Sequence, residues 1–196
     1  ARAEAANYPF CTIAASVGVV GVPDVRLKVL SDMVKAKKIV PAAMRFVDIA
    51  GLVKGASTGE GLGNKFLAHI REVDAIAQVV RCFEDGNITH VEGTIDPLRD
   101  IEIINTELCL ADMDSVEKRI DRLGKLLKTG DKKVPVEKAA LEKVLAGLSE
   151  AIPARRQGLT DDEKEFLQEL HLLTMKPILY ITNVAEDEVA HAEKNP

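Results

Sequence analysis

The sequence predicts an α/β fold in which an antiparallel helical hairpin is inserted into a domain with a mostly parallel sheet. Short apolar or β-branched segments alternate with helical patterns in the first half of the chain, as in sheets whose strands are covered on both faces. Long amphipathic stretches follow, from residue 101 to residue 152. Sheet-like sequence returns at residues 177–182. This order indicates one α/β domain interrupted by a hairpin.

Each predicted strand is a short run of apolar residues, and the runs are residues 16–22, 43–48, 75–80 and 177–182. Two helices are predicted between the first three strands, at residues 25–34 and 64–72. Asp24 stands directly before the first helix, where its carboxylate can cap the N-terminus. Strand, helix and strand in this order favour parallel neighbours.

Helical periodicity dominates the second half of the chain. Apolar residues recur every three to five positions from Ile101 to Lys128, and a polar turn separates this stretch from a second one at residues 136–152. Thr160 and Glu163 have the spacing of a capping box at the start of a further helix. Two amphipathic helices joined by a short turn form an antiparallel hairpin, which either projects as an arm or covers the sheet.

The composition is that of a soluble globular protein of 196 residues, 46% hydrophobic and 29% charged. No apolar run is long enough to span a bilayer, and the N-terminus lacks the layout of a signal peptide, so we expect a cytoplasmic protein with no membrane partner. Cys11, Cys82 and Cys109 are isolated, which argues against a disulfide framework or a zinc site. The net charge of −5 gives no overall attraction to nucleic acid.

A local basic cluster is the one feature that favours a nucleic-acid contact. Lys125, Lys128, Lys132 and Lys133 lie near the tip of the predicted hairpin. Such a cluster is usually a solvated face. On a projecting arm it could also meet RNA phosphates by charge alone, without sequence specificity.

The strongest chemical signal follows the second predicted strand, which ends on Asp48 and is followed by Gly51. A carboxylate at the end of a buried strand lies where open α/β sheets bind ligands, and a glycine just beyond lets the backbone approach a phosphate. P-loop nucleotide hydrolases use this D-x-x-G pattern to hold magnesium and sense the terminal phosphate. Alone, the pattern is common, and an Asp that caps a turn beside a Gly that bends it is the alternative.

A second signal follows the last predicted strand, where Asn183-Val184-Ala185-Glu186 has the form N-x-x-E. P-loop GTPases carry N-K-x-D at the corresponding point, and the Asp accepts two hydrogen bonds from guanine. Glutamate is one methylene longer, so its carboxylate cannot occupy the same place relative to the base. A buried unmatched polar group costs about 1–3 kcal/mol, which is enough to lose or reverse a preference for guanine.

Six segments together carry a family resemblance: A-A-N-Y-P-F-C-T-I (5–13), F-V-D-I-A-G-L-V-K-G-A-S (46–57), G-E-G-L-G-N (59–64), V-V-R-C-F-E (79–84), D-I-E (100–102) and I-N-T-E-L (104–108). The chain closely resembles the YchF-type Obg-like ATPases, a branch of the Obg family of translation-factor-related P-loop NTPases. The resemblance implies a P-loop NTPase-type α/β fold with an inserted coiled coil.

The resemblance implies roles for several residues. Thr12 and Asp48 would hold Mg²⁺, and the Gly51 N–H would face the γ-phosphate. Leu52 stands where Ras-like enzymes carry the glutamine that orients the attacking water. His90 matches a family histidine proposed for that catalytic task, although an isolated loop histidine is more often merely solvated.

Asn183, Val184 and Glu186 match the base-recognition loop that prefers ATP to GTP in this family. The resemblance further implies ATP as substrate, GTP as a weaker ligand, Mg²⁺ as cofactor, the ribosome or a ribosomal subunit as partner, and a monomer.

The domain boundaries that the resemblance implies place the first part of the nucleotide-binding, G-type domain at residues 1–104. The coiled-coil insert occupies residues 105–172, and the nucleotide-binding domain continues at residues 173–196.

Three features depart from the family pattern. The P-loop G-x-x-x-x-G-K-[ST] does not occur in the sequence, and neither does the family's C-terminal TGS domain. T-I-A-A-S (12–16) replaces the usual T-I-E-P-N. We expect a fragment that binds nucleotide poorly and hydrolyses hardly any by itself. Two functions remain open: an ATP-hydrolysing molecular switch, or a non-catalytic interaction module that acts through its hairpin.

Overall fold

The computed structural model describes residues 16–49, 62–85, 94–126 and 131–194. The chain divides into two compact units, Ala1–Gly51 and Leu52–Pro196, which are described in turn. None of the helices in the described ranges is long and apolar enough to cross a membrane.

The first unit contains strand β1 (Ser16–Gly21), helix α1 (Val25–Val34) and strand β2 (Ala43–Asp48). The strands lie where the sequence predicts them, but they pair antiparallel rather than parallel. The reason is the direction of the connection: the Val22 N–H donates to the Ala42 carbonyl at 2.7 Å, so the chain re-enters the sheet beside the end of the strand it has just left. A parallel pair would require it to return to the opposite end.

The predicted N-cap of α1 is confirmed. The Asp24 carboxylate accepts a hydrogen bond from the Arg26 backbone N–H at 2.9 Å, and the Arg26 guanidinium contacts the same carboxylate at 2.7 Å. These bonds from Arg26 lower the pKa of Asp24. The apolar side chains of α1 are not buried among the described residues, since Val25 and Val34 are 87% and 73% exposed.

In the second unit, helix α2 (Leu62–Arg71) precedes strand β3 (Ile76–Arg81), which pairs in parallel with strand β4 (Ile178–Asn183). The two strands are aligned end to end, with Arg81 opposite Asn183. Both strands are confirmed, and the parallel pairing agrees with the predicted fold class. Since the carboxyl ends of parallel strands meet at one edge, the residues that follow β3 and β4 lie side by side.

The helical hairpin consists of α3 (Pro97–Leu126) and α4 (Lys133–Ser149), and the shorter helix α5 (Asp161–Leu167) packs beside it. Arg119 of α3 contacts Glu137 of α4 at 2.6 Å, which fixes the antiparallel register. The helices meet through fully buried apolar side chains that form the core of the unit: Val116, Leu123, Leu141, Val144, Leu148 and Leu167.

Two local signals set the helix ends. The Asp96 carboxylate accepts from the Arg99 backbone N–H at 3.0 Å, and Pro97 occupies the first helical position, so α3 begins earlier than its apolar pattern. The predicted capping box of α5 is confirmed, because Thr160 and Glu163 each accept a hydrogen bond from the other's backbone N–H.

A buried polar network joins α3 to the segment that leads into β4. The Asp112 side chain is fully buried, and its two oxygens accept from the Leu173 and Thr174 N–H groups at 2.9 and 2.7 Å. The Thr174 hydroxyl accepts from the Ala154 N–H at 3.2 Å. Arg155 donates to the Thr174 carbonyl and to the Asn105 side chain, each at 3.2 Å. The hairpin thereby holds the chain at the entrance to β4.

Replacing Asp112 should destabilise the fold more than replacing an exposed aspartate on the same helix. Asp112→Asn retains one acceptor and leaves one buried N–H unpaired, so we expect the free energy of unfolding in urea to fall by about 1–3 kcal/mol. The matched control is Asp114→Asn on the same helix, whose carboxylate is 64% exposed and should change it by at most about 0.5 kcal/mol. Equal effects of the two variants would contradict the role assigned to Asp112.

The same variant also tests the pH dependence of stability that Asp112 causes. Burial raises the pKa of Asp112, so the folded state holds this proton more tightly than the unfolded state. The stability of the unaltered chain should therefore fall as pH rises from about 3.9, the ordinary Asp value, through the raised pKa. Asp112→Asn should lack this component.

Candidate functional site

The candidate base-recognition segment lies at the carboxyl edge of the β3–β4 pair. Asn183 is the last residue of β4, and its carbonyl accepts a hydrogen bond from the Cys82 N–H at 2.8 Å. This bond extends the ladder one residue beyond β3. The backbone of Asn183 is therefore fixed by the sheet.

The turn after Asn183 is closed by a residue that the sequence pattern does not single out. Glu188 accepts a hydrogen bond from the Ala185 N–H at 3.2 Å, and its own N–H donates to the Ala185 carbonyl at 3.0 Å. This pair reproduces only the glutamate half of a capping box, because Ala185 has no side-chain acceptor, so the sequence offers no signal that would have identified Glu188. It holds Val184 and Glu186 next to the strand end.

The predicted base-contacting side chains are accessible. Asn183 and Glu186 are exposed, while Val184 is half-buried. Among the described residues, neither the Asn183 amide nor the Glu186 carboxylate forms a side-chain hydrogen bond or an ion pair, so both keep their donors and acceptors for a ligand. An amide and a carboxylate on one short turn can recognise the polar edge of a nucleobase.

The loop that follows β3 is organised by Arg81. Its guanidinium donates to the carbonyls of Phe83 and Asp85 at 3.0 and 3.2 Å and lies 4.8 Å from the centre of the Phe83 ring. Residues 82–85 are thereby folded back on the strand end beside Asn183. The sequence marks this arginine only as part of a family-like segment and gives no hint of its contacts.

The described cysteines are not suited to nucleophilic chemistry. Burial raises the pKa of Cys82, and the nearby Glu188 carboxylate raises it further. Burial likewise raises the pKa of Cys109 to about 11. A raised pKa disfavours the thiolate, so neither thiol has the activation that a nucleophilic cysteine requires.

The predicted magnesium ligand Asp48 belongs to the first unit, where it ends β2 opposite Ser16. Its side chain is exposed, and in the described part of the chain no cation or N–H group binds its carboxylate. An uncommitted carboxylate at a strand end fits a hard cation such as Mg²⁺, which prefers oxygen ligands and keeps several waters.

The other predicted site residues, Thr12, Gly51 and His90, lie outside the described residues, as does Leu52. The structure thus places Asp48 in one unit and the segment from Asn183 to Glu186 in the other.

Comparison with known proteins identifies the family. The model of the family described as 50S ribosome-binding GTPase matches residues 1–113. The ribosome-binding ATPase YchF of Bacillus subtilis is 57% identical over 195 residues, which is 100% of this chain and 53% of that protein. The protein of the same name from Haemophilus influenzae is 56% identical over 193 residues, 98% of this chain and 52% of its own length.

A solved structure shows the same relationship in three dimensions. The YchF GTPase of Schizosaccharomyces pombe superposes with a TM-score of 0.74 at 45% identity, over 97% of this chain and 52% of the other. The chain spans about half the length of the curated relatives it matches. From the family match over more than half of its residues and these relatives, the chain belongs to the 50S ribosome-binding GTPase family, in its YchF-type branch.

Proposed function

We propose that the protein is a nucleotide-dependent molecular switch that hydrolyses ATP in preference to GTP and associates with the ribosome. The names of the relatives support ATP hydrolysis and ribosome binding, while the family and the solved structure are named for GTP hydrolysis. The choice between the two nucleotides therefore depends on this chain's own residues.

The observation that carries the preference for ATP is the acidic residue at the base-recognition turn. Glu186 follows an anchored Asn183 on a turn that Glu188 closes. A fixed backbone cannot retract to compensate for the extra methylene of a glutamate, so the carboxylate misses the place from which an aspartate accepts guanine's two hydrogen bonds. A site built for such bonds discriminates strongly once they are lost.

Hydrolysis is assigned to the remaining predicted residues. Asp48 and Thr12 would hold Mg²⁺, whose charge would stabilise the negative charge that develops on the phosphates, and the Gly51 N–H would face the γ-phosphate. Leu52 cannot orient water. The imidazole of His90 takes that task, for which its hydrogen-bonding capacity suits it.

We further propose that residues 1–104 and 173–196 form the nucleotide-binding domain and residues 105–172 the insert. The insert holds the second half of that domain through the hydrogen bonds that the Leu173 and Thr174 N–H groups donate to the Asp112 carboxylate. Because the sequence contains no P-loop pattern, we expect the chain by itself to bind nucleotide weakly and to show almost no hydrolysis.

Calorimetry with ATP and GTP in the presence of Mg²⁺ tests the nucleotide preference. A version extended at the N-terminus by a P-loop-bearing segment should bind ATP at least about tenfold more tightly than GTP, a difference of about 1.4 kcal/mol. Glu186→Asp should shift this ratio toward GTP by about tenfold or more, since it restores the shorter carboxylate. The same change at Glu165, which is exposed on α5, should leave the ratio unaltered. GTP preference before the substitution would overturn the proposal.

Two variants of the extended version separate magnesium binding from catalysis. Asp48→Asn should weaken the binding of ATP about tenfold in Mg²⁺ and much less in EDTA, because it removes a charged ligand of the metal. His90→Ala should leave binding unchanged and lower the single-turnover hydrolysis rate by about 10²-fold or more. Calorimetry and phosphate release measure the two effects. The assignment fails if His90→Ala retains the full hydrolysis rate. It also fails if Asp48→Asn weakens ATP binding equally in Mg²⁺ and in EDTA.

A further inference from the structure

Helix α2 is tied to the hairpin through its last residue, Arg71. The Arg71 guanidinium donates to the Ser115 hydroxyl of α3 at 3.1 Å and, more weakly, to the Leu170 carbonyl at 3.5 Å. Ser115 lies three residues after Asp112 on the same helix. Burial raises the pKa of Asp112, and the positive charge of Arg71 opposes that rise. The guanidinium therefore lies between α2 and the part of the hairpin that holds the entrance to β4.

A lysine ties the same end of α2 to the entrance of β4. The Lys176 ammonium donates to the carbonyls of Arg71 and Val73 at 3.1 and 2.6 Å. A cation at this position satisfies carbonyls at the end of the helix and offsets the negative end of its dipole. We call the side chains of Arg71, Ser115 and Lys176 the polar cluster. It joins three elements at the end of α2.

Helix α2 is also packed firmly near this end. Leu67 and Ile70 are buried, with 6% and 5% of their surface exposed, and both lie within the last five residues of the helix. A helix of ten residues moves as a stiff unit, so a displacement at its start is felt at its end. The polar cluster is the place where such a displacement would reach the hairpin.

Free space adjoins the polar cluster. A cavity of about 530 Å³ is bordered by Arg71, Lys176 and His171, among other residues. The cluster is therefore not enclosed by close-packed neighbours, and its side chains have room to change position. His171 has a φ of 46°, a left-handed conformation that residues other than glycine rarely adopt. Backbone outliers of this kind are found at segments that switch between two arrangements.

The start of α2 lies close in sequence to the residue proposed to face the γ-phosphate. The helix begins at Leu62, eleven residues after Gly51. In nucleotide hydrolases, segments that contact the γ-phosphate change their arrangement when that phosphate is lost. The start of α2 is thus placed to respond to the nucleotide, while its end is bonded to the hairpin.

We propose that the polar cluster couples the nucleotide state to the hairpin, with Arg71 as the positioning residue. This inference rests on the proposed switch function and names the contacts through which the switch acts. Loss of the γ-phosphate moves α2, and the hydrogen bond from Arg71 to Ser115 forms in only one of the two positions. The packing of α3 then differs between the nucleotide states. Coupling is reciprocal, so the same bond also contributes to the relative affinity for ATP and ADP.

The test is amide hydrogen exchange, measured by mass spectrometry on the P-loop-extended version with Mg²⁺ and either ADP or a non-hydrolysable ATP analogue. Ser115→Ala removes the acceptor of the bond and favours the helix, while Arg71→Lys keeps the charge but loses the planar fork of donors. The matched control is Ser149→Ala, which removes a hydroxyl that donates to the Ala146 carbonyl of its own helix at 2.7 Å.

We expect the exchange of the α3 amides around Ser115 to differ by about fivefold or more between the two nucleotides in the unaltered version and in Ser149→Ala. The difference should vanish in Ser115→Ala and in Arg71→Lys. Combining the two changes should have no further effect, because both break the same bond. The ratio of the Kd values for the ATP analogue and ADP should shift by a similar factor, and the preference for ATP over GTP should be unchanged.

Two results would overturn this inference alone, with ATP-selective binding left intact. One is a nucleotide-dependent difference that survives in both variants, and the other is its absence from the unaltered version. A purely structural role of the cluster would raise exchange equally in both nucleotide states, which also contradicts the coupling. Failure of the unaltered version to bind either nucleotide would overturn the proposed function and this inference together.

Discussion

The second unit depends on one buried carboxylate. Asp112 lies in the middle of the long helix α3 and is fully shielded from water, yet it satisfies two backbone N–H groups of the turn at residues 173–175. Burial of a charge is expensive, and it is tolerated where the geometry supplies several hydrogen bonds in return. Here the two hydrogen bonds fix the position of the turn, and β4 begins three residues beyond it, at Ile178.

The entrance to the sheet is fixed from a second side by Lys176 and Arg71. The Lys176 ammonium donates to the carbonyls of Arg71 and Val73 at 3.1 and 2.6 Å, at the end of α2. Arg71 in turn donates to the Ser115 hydroxyl of α3 at 3.1 Å. Helix α2, the hairpin and the segment that enters β4 therefore meet at one polar cluster. The turn from Asn183 to Glu186 lies at the other end of β4. These contacts at the start of the strand therefore also help to fix the backbone of the turn.

A fixed strand end explains how a single methylene could matter for nucleotide choice. If the turn after β4 were free to move, its backbone could shift back and place the Glu186 carboxylate where an aspartate carboxylate would lie. The bond from Cys82 to Asn183 and the reciprocal pair between Ala185 and Glu188 restrict that movement. The proposed preference for ATP would then depend on the sheet and the turn together, rather than on the glutamate alone.

Much of the fold follows from local sequence patterns. All four strands, the hairpin helices, the Asp24 cap and the Thr160 capping box are readable because periodicity and capping depend on near neighbours. The antiparallel pairing of β1 with β2 cannot be predicted in this way, since tertiary contacts decide the direction in which the chain returns to the sheet.

The unpredicted contacts share a physical cause. Asp112 stands in a helix rich in charged residues, and its sequence surroundings resemble those of the exposed Asp114. Its partners lie about 60 residues away, so only the packed structure reveals which of the two is buried. Arg81 and Glu188 are likewise ordinary charged residues until the folded loops bring carbonyls and N–H groups within their reach. The ends of strands are easier to identify, which is why Asp48 and Asn183 could be proposed from sequence.

The most direct test of the account is a crystal structure of the P-loop-extended version with Mg²⁺ and a non-hydrolysable ATP analogue. The account predicts that the adenine lies against the turn formed by Asn183, Val184 and Glu186, with the backbone of that turn unmoved. Adenine bound elsewhere, or a turn that reorganises to receive it, would contradict the claim that the fixed end of β4 selects the base.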